Sequence, residues 1–493
     1  MHRIAAGARS AGRFVRRSVA ALLIVAGLLL LVFGPRDVED LPADRVVIDY
    51  WEKWSGAEGQ TMQVIVDEFN RTVGAEKGIY VRFLSLAVVD QKTRIATAAG
   101  VPPDVAGIWS DRLAQLHAMD ALEPLDELAA AAGIHRGQYK PVFYDDCVQE
   151  GTLVALPTTP ATVALLWNRQ IFAERADALR AAGCDPTRPP RTIEELDRYA
   201  RALDVWETRP DGSKRLVAAG YLPMEPGWFV AHIWRWFGGS VWDPDGPPQE
   251  QIDFLDEGVV AAYEWMAEYA RRIGPMSMGE FRSGLGGTLS SQNPFITGQV
   301  AMIQQGPWMA AYIDTFGPQM NRLKWEKEYE MTLPIERRRE NYTWAAAPFP
   351  SARGADAGGP VTMTNLDVVV IPKGARHKAE AFEFIRYLQQ QDVMERLCLA
   401  QCKNSPLAES SEAFRQRHTN PYVEVFDAMA DSPNAFHAPH VPIWPELNAE
   451  LVNVAQAVSA GSATPREALT AAQQRAERAW NRFLEHDRRS YTP

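Results

Sequence analysis

Val46-Val47-Ile48-Asp49-Tyr50-Trp51 is a run of β-branched and aromatic residues that reads as a strand. Met62, Ile65, Val66 and Phe69 follow at helical spacing, giving a helix with one apolar face. Ile79-Tyr80-Val81-Arg82-Phe83 is a second strand. A helix ending at Gly100 comes next, and Pro102-Pro103 leads into a third strand from Asp104 to Trp109. Strand, helix, strand, helix, strand at this pitch specifies a parallel sheet with right-handed crossovers. Such sheets bind ligands where the carboxyl ends of the strands meet their loops. Trp51, Trp54 and Trp109 all fall at those ends.

Downstream the pattern turns mostly helical. Thr192 and Glu195 are spaced as a capping box, and so are Thr464 and Glu467, where Pro465 opens a C-terminal helix to about Leu484. One strand-like stretch returns late: Leu366 to Ile371 is a buried strand, followed by Pro372-Lys373-Gly374 and a helix from Ala379 to Leu388. So apolar a strand needs a sheet with both faces covered. We therefore expect it to join the sheet begun by Val46–Trp51, with the chain crossing between lobes near Thr159, Asn365 and Ser410. Thr159–Thr162 and Thr362–Asn365 would then floor a cleft. The loops Arg209–Lys214, Asp243–Pro248 and Ser351–Gly359 are rich in Gly, Pro or Asp and are the candidates for mobility.

At 493 residues the chain is long enough for two or more domains, and 46% hydrophobic with 23% charged residues is ordinary globular composition. Whole-chain disorder and a disulfide scaffold are excluded. The net charge is −11, and residues 1–34 hold five Arg and no acid, so the body is more acidic still. That argues against nucleic acid as a partner. Arg3, Arg9, Arg13, Arg16 and Arg17 precede an uncharged run from Ser18 to Gly34, the layout of an export signal. Residues 1–40 are read as a signal peptide or a transmembrane signal anchor, placing the body in the periplasm or on the outer face of the cytoplasmic membrane. Cys147, Cys184, Cys398 and Cys402 allow one bridge in an oxidising compartment. Cys398 and Cys402 can pair only if their helix ends between them, and the Cys147–Cys184 pairing stays open. No metal ligands are assigned. Asp243-Pro244-Asp245-Gly246 reads as a turn, since Pro interrupts the pattern of a calcium loop. Fifteen Trp is a large number for this length, which suggests that some rings bind rather than pack.

Several landmarks now fall into order: Trp54-Ser-Gly-Ala-Glu58, Ala99-Gly-Val-Pro-Pro-Asp104, Gly151-Thr-Leu-Val-Ala-Leu-Pro157 and Leu165-Leu-Trp-Asn168. Pro190-Arg-Thr-Ile-Glu-Glu-Leu196, Gly238-Gly239, Phe295-Ile-Thr-Gly-Gln-Val-Ala-Met302 and Gly306-Pro-Trp308 follow. In this the chain resembles the extracellular solute-binding proteins of ABC transporters, in their sugar-binding branch, over residues 46 to about 485. The resemblance implies an α/β, periplasmic-binding-protein-like fold, with two discontinuous α/β lobes and a ligand cleft at a multi-strand hinge. Lobe 1 is expected from residues 45–159 and 365–410, lobe 2 from 160–364 and 411–490. It implies a monomer that takes a saccharide ligand by lobe closure and hands it to ABC permease membrane subunits, without cofactor or catalysis.

Site residues are carried over where the motifs match. Trp109, Asp111 and Arg112 resemble a sugar-contacting trio, although the spacing is one residue shorter. Glu225 and Trp228, in Glu-Pro-Gly-Trp, resemble a Glu-Pro-aromatic contact, and Trp308 and Trp444 match two stacking positions. Trp54, Glu58, Thr159 and Asn365 complete the expected ligand-binding set. The family's acidic contact is replaced by Ala161, and Thr362-Met-Thr-Asn-Leu366 stands where many relatives carry a glycine pair. Chemistry supports the carry-over, because sugars offer apolar C–H faces to rings and hydroxyl rims to carboxylates and amides. Trp234, Trp236, Trp265, Trp325 and Trp480 read as packing or surface. The alternatives are an exported carbohydrate-active enzyme, for which no HExxH, Walker or GxGxxG motif is present, and a sugar-sensing binding module.

Overall fold

The computed structural model describes residues 41–352 and 358–490, with side chains to residue 486. The expected signal or anchor segment, and part of the Ser351–Gly359 loop, lie outside the described residues. No described helix is long and apolar enough to cross a membrane.

The chain begins with β1 (Val46–Glu52), α1 (Gly56–Arg71), β2 (Ile79–Ser85), α2 (Val89–Ala98) and β3 (Val105–Trp109). β1 pairs in parallel with both β2 and β3, as the opening pattern requires. α3 (Pro141–Asp146) leads to β4 (Leu156–Thr162) and β5 (Ala164–Asn168). A helical stretch follows, with α4 (Ile193–Leu203), the short 3-10 helix Val230–Phe237 and α5 (Glu257–Ile273). Then come β6 (Met302–Gln305), α6 (Met309–Phe316), β7 (Trp344–Ala347) and β8 (Thr362–Val370). α7 (Lys378–Leu388), α8 (Gln391–Ala400), β9 (Ala435–Phe436), α9 (Trp444–Ser459) and α10 (Pro465–Ser490) complete the elements used below.

The late apolar strand does enter the first sheet. β8 lies beside β3 through Asp367–Val370, but antiparallel, so the sheet is mixed. β8 also pairs with β4, antiparallel along Thr364–Val369, and through Thr362 and Met363 with β9. β5 forms a separate antiparallel sheet with β6 and β7. The capping reading of Thr464 holds in full, since its backbone N–H donates to Glu467 (3.0 Å) and Glu467's to its hydroxyl (3.4 Å). At Thr192 only half the box forms, because Glu195 reaches back to the Arg191 amide (2.8 Å) instead.

Buried apolar side chains form two cores. One gathers Ile48, Val81, Ile108, Leu156, Val369 and Phe384. The other gathers Leu165, Tyr263, Met302, Trp344 and Leu451. The chain changes core between Leu156 and Val163 and again between Met363 and Leu366. The third exchange is interleaved: Cys402 already packs in the second core while Phe414 and Ala430 still pack in the first. Two lobes therefore share β4 and β8 as connecting strands. The cysteines are divided the same way, Cys147 and Cys398 in one core and Cys184 and Cys402 in the other, and all four are free and buried. Neither pairing considered from sequence, Cys398–Cys402 or Cys147–Cys184, forms, because each would have to join side chains packed in different cores.

Candidate ligand cleft

A cavity of about 450 Å³ opens between the lobes, over the crossing strands. Lobe 1 supplies the end of β1 and the start of α1 (Lys53, Trp54, Ser55, Glu58) and the end of β3 (Trp109, Asp111). Facing them from lobe 2 are Trp228, Phe229 and His232 at the 3-10 helix, Trp308 and Tyr312 at α6, and Asn448 on α9. Ala161, Met363, Asn365, Asp367 and Lys403 form the floor.

Local sequence explains how the rings are presented. Gly227 adopts φ +80°, and a Cβ there would lie 2.9 Å from the Met224 carbonyl oxygen. Glycine lets the chain turn at that point and projects Trp228 at 48% exposure. Gly306 is needed for close approach, since a Cβ would sit 1.9 Å from the Trp308 ring. The Trp228 and Trp308 rings lie 6.4 Å apart at 31°, and Trp109 faces them across the cavity at 39% exposure.

Beneath the rings is a desolvated charge cluster. Asp367 receives Lys403 Nζ at 2.7 Å and Thr159 Oγ1 at 2.7 Å, and pairs with Lys53 Nζ at 3.1 Å. Lys53 also reaches the Ile108 carbonyl (3.2 Å) and Glu52 (3.3 Å), whose other oxygen accepts the Tyr50 hydroxyl at 2.5 Å. Burial alone would raise the Asp367 carboxyl, but the Lys403 and Lys53 ammoniums override it and hold the group well below the carboxylate range. Burial alone would likewise lower Lys53, and Asp367 and Glu52 raise it instead. Both ammoniums lie near Trp faces: Lys53 is 5.0 Å from the Trp54 ring and Lys403 5.9 Å from that of Trp308. Desolvation pushes the Glu58 and Asp111 carboxyls upward, opposed by Lys403 and by Arg112 respectively.

Of the expected site residues, Trp54, Glu58, Trp109, Asp111, Trp228, Trp308 and Asn365 surround this cavity. Four do not. Trp444 is fully buried in the lobe 2 core with its ring 5.0 Å from His232, so it offers no open face. Thr159 is fully buried under the floor, its hydroxyl committed to Asp367 and Lys403. Arg112 turns aside toward Asp90 (3.5 Å) and lines a neighbouring recess. Glu225 sits half-buried behind the turn that carries Trp228. Two of the threonines expected on the floor also lie elsewhere. Thr362 and Thr364 face away from the cavity, their hydroxyls donating to the Val163 and Phe436 carbonyls (2.8 and 3.1 Å). Side chains alternate along β8, so Met363, Asn365 and Asp367 take the cleft face.

Lys53, Asp367, Lys403, Tyr312 and His232 also line the cavity, and no motif in the sequence points to them. One signal is local: Asp367 is the lone polar residue of the run Leu366–Ile371, and a buried carboxylate requires a cation. His232 is buried with no hydrogen-bond partner for either ring nitrogen, and burial lowers it to about 3, so the ring is neutral.

Two lobes, a shared strand floor and a cleft walled by aromatic rings and buried polar groups define a solute-binding protein. Residues 53–395 match the model of the bacterial extracellular solute-binding proteins, and the chain belongs to that family. Its fold is that of CpMnBP1 with mannotriose bound (TM-score 0.70, 24% identity, 88% of this chain and 100% of that one). It is also that of the sugar-binding protein MalE of Xanthomonas citri (TM-score 0.64, 18% identity, 89% of this chain and 98% of that one). Among curated relatives, the sn-glycerol-3-phosphate-binding periplasmic protein UgpB of Salmonella typhimurium is 28% identical over 185 residues, 35% of this chain. UgpB of Pectobacterium atrosepticum is 26% identical over 234 residues, 45% of each chain. The chain spans 38% of the length of the first of these relatives, which is less than half.

Proposed function

We propose that this protein captures a neutral saccharide between its lobes and delivers it to the membrane subunits of an ABC transporter, without chemical change. The observation that carries the reading is the composition of the cleft. Trp54, Trp109, Trp228 and Trp308 give apolar faces on both lobes, and Glu58, Asp111, Asn365 and Asn448 give hydroxyl-binding rims. A ligand touching both walls favours the closed arrangement by its differential contacts. Supporting this, solved proteins of the same fold carry mannotriose and α-D-tagatose. The lobe division expected from sequence is supported by the two cores, and export by the Arg-rich start and the family's extracellular character.

A phosphorylated polyol is the second reading, because relatives are named for sn-glycerol-3-phosphate. Charge in the cleft speaks against it. Both lysines of the lining are already paired with Asp367, while Glu58 and Asp111 add negative charge. A phosphate would have to displace a buried carboxylate from its ammoniums, which costs several kcal/mol in the low-dielectric interior. Calorimetry with manno- and malto-oligosaccharides and with sn-glycerol-3-phosphate decides between the two. Saturable heat without product from a saccharide supports the proposal; binding of the phosphate alone, or turnover of the sugar, refutes it.

A further inference from the structure

We infer that Asp146, His437 and His440 form a Zn²⁺ site that bridges the two lobes beside the hinge. Asp146 ends α3 and is 2% exposed, and its Oδ2 has no hydrogen-bond partner. A buried carboxylate oxygen without a partner is costly unless a cation satisfies it. His440 Nε2 stands 3.2 Å from Asp146 Oδ1, and His437 Nδ1 stands 3.7 Å from the same oxygen. One ligand atom from each of the three residues lies within 4.8 Å of the others, a spread that a single ion can draw together. The two imidazoles stack with centroids 4.2 Å apart and 17° between planes, which holds both edges toward the carboxylate. His437 Nδ1 also meets the Ala438 carbonyl at 2.8 Å; a carbonyl only accepts, so that nitrogen carries the proton in this contact, and zinc must displace it to take the nitrogen as a ligand.

Two imidazoles and a carboxylate suit Zn²⁺ in tetrahedral coordination, with water in the fourth position. Ca²⁺ and Mg²⁺ prefer all-oxygen shells and fit poorly. There is a path for entry, since His437 and His440 line a recess of about 670 Å³ together with Val142, Trp234 and Trp242. Arg235 also lines that recess, but its guanidinium lies over the Trp234 and Phe436 rings (5.9 and 5.3 Å). The site is distinct from the ligand cleft in its residues yet placed to influence it. Phe143 and Cys147 anchor the Asp146 segment in the lobe 1 core, while Val441 and Ile443 anchor the histidine segment in lobe 2. His437 directly follows β9, which pairs with the crossing strand β8. Asp146 is also among the charges that act on Asp111 in the cleft, so a bound cation would reduce that repulsion.

The test is calorimetric titration of the untagged, EDTA-stripped protein with Zn²⁺. One site per chain is expected, weakened about tenfold or more in Asp146→Asn and in the double variant His437→Gln/His440→Gln. Melting curves without metal establish that the variants fold, and Zn²⁺ should raise the melting point of the wild type only. X-ray absorption of the zinc-loaded wild type should read two imidazole ligands, a measurement that needs no variant. No zinc binding by the wild type, unchanged binding in the double variant, or a zinc spectrum without imidazole would each overturn the assignment.

Discussion

Trp308 and Trp444 are both expected from the family resemblance to stack on a ligand, yet they do different physical work in this molecule. Trp308 is folded over Gly306 at the cleft wall, while Trp444 is sealed in the lobe 2 core. Trp308→Ala and Trp228→Ala should each weaken saccharide binding by about 1–3 kcal/mol, as removal of an aromatic anchor does. Calorimetry checks this, and wild-type affinity in both variants would remove these rings from the site. Trp444→Ala should instead cost about 3–5 kcal/mol of folding stability, the range for emptying a large core side chain. Its loss in denaturant titration should be several times any change in affinity per molecule of folded protein. Motif position alone does not separate the two roles, because burial is decided by which face of α9 meets the 3-10 helix.

At the scale of elements, the shared floor of β4 and β8 depends on Asp367 and its two lysines. Asp367→Asn leaves Lys53 and Lys403 buried without their common counter-ion, and should destabilise the protein by about 3–5 kcal/mol. The folded-state pKa of Asp367 lies below its unfolded value, so its contribution is fully present above the unfolded value of about 4. It is lost as the pH falls below that toward the depressed folded value. The stability gap between wild type and Asp367→Asn, measured by denaturant titration, should therefore be constant from pH 5 to 7 and narrow below about pH 4. How much of this floor is legible in sequence depends on where its information lies. The strands at 46–51, 79–83 and 104–109 announce themselves through local alternation and β-branching, and Leu366–Ile371 through an apolar run that demands two covered faces. Lys53 and Lys403 carry no such local mark, and the apolar neighbours of Asp367 say that it needs a cation but not which one, because the three meet only when β8 lands beside β3. The place of Arg112 is hidden for the same reason: besides its neighbour Asp111 it pairs with Asp90, which comes from α2 and which the local sequence does not signal.

For the whole molecule, the two-lobed arrangement predicts closure on ligand. A bound saccharide should reduce the radius of gyration in solution scattering. It should also stabilise the fold by about 2.7 kcal/mol at a hundredfold excess over its dissociation constant, read as a rise in melting temperature. Unchanged scattering with saturating ligand would show that the lobes do not move. A chain lacking residues 1–40 should keep both lobes and full ligand affinity, since the described residues that build both cores and the cleft all lie beyond residue 40. The interleaving of the two cores has one more consequence, for the order of events as the polypeptide is made. β3 is available once residue 109 has emerged, but its neighbour β8 begins only at Thr362. Throughout that interval the Val105–Trp109 edge has unpaired amides and carbonyls on one side, flanked by apolar side chains. Neither half of the polypeptide can mature ahead of the other, and an incomplete chain presents an adhesive strand margin to its surroundings. Slow, late closure of this kind is where a holding chaperone gains its grip and where a ribosome stalled between the two strands would leave an aggregation-prone product.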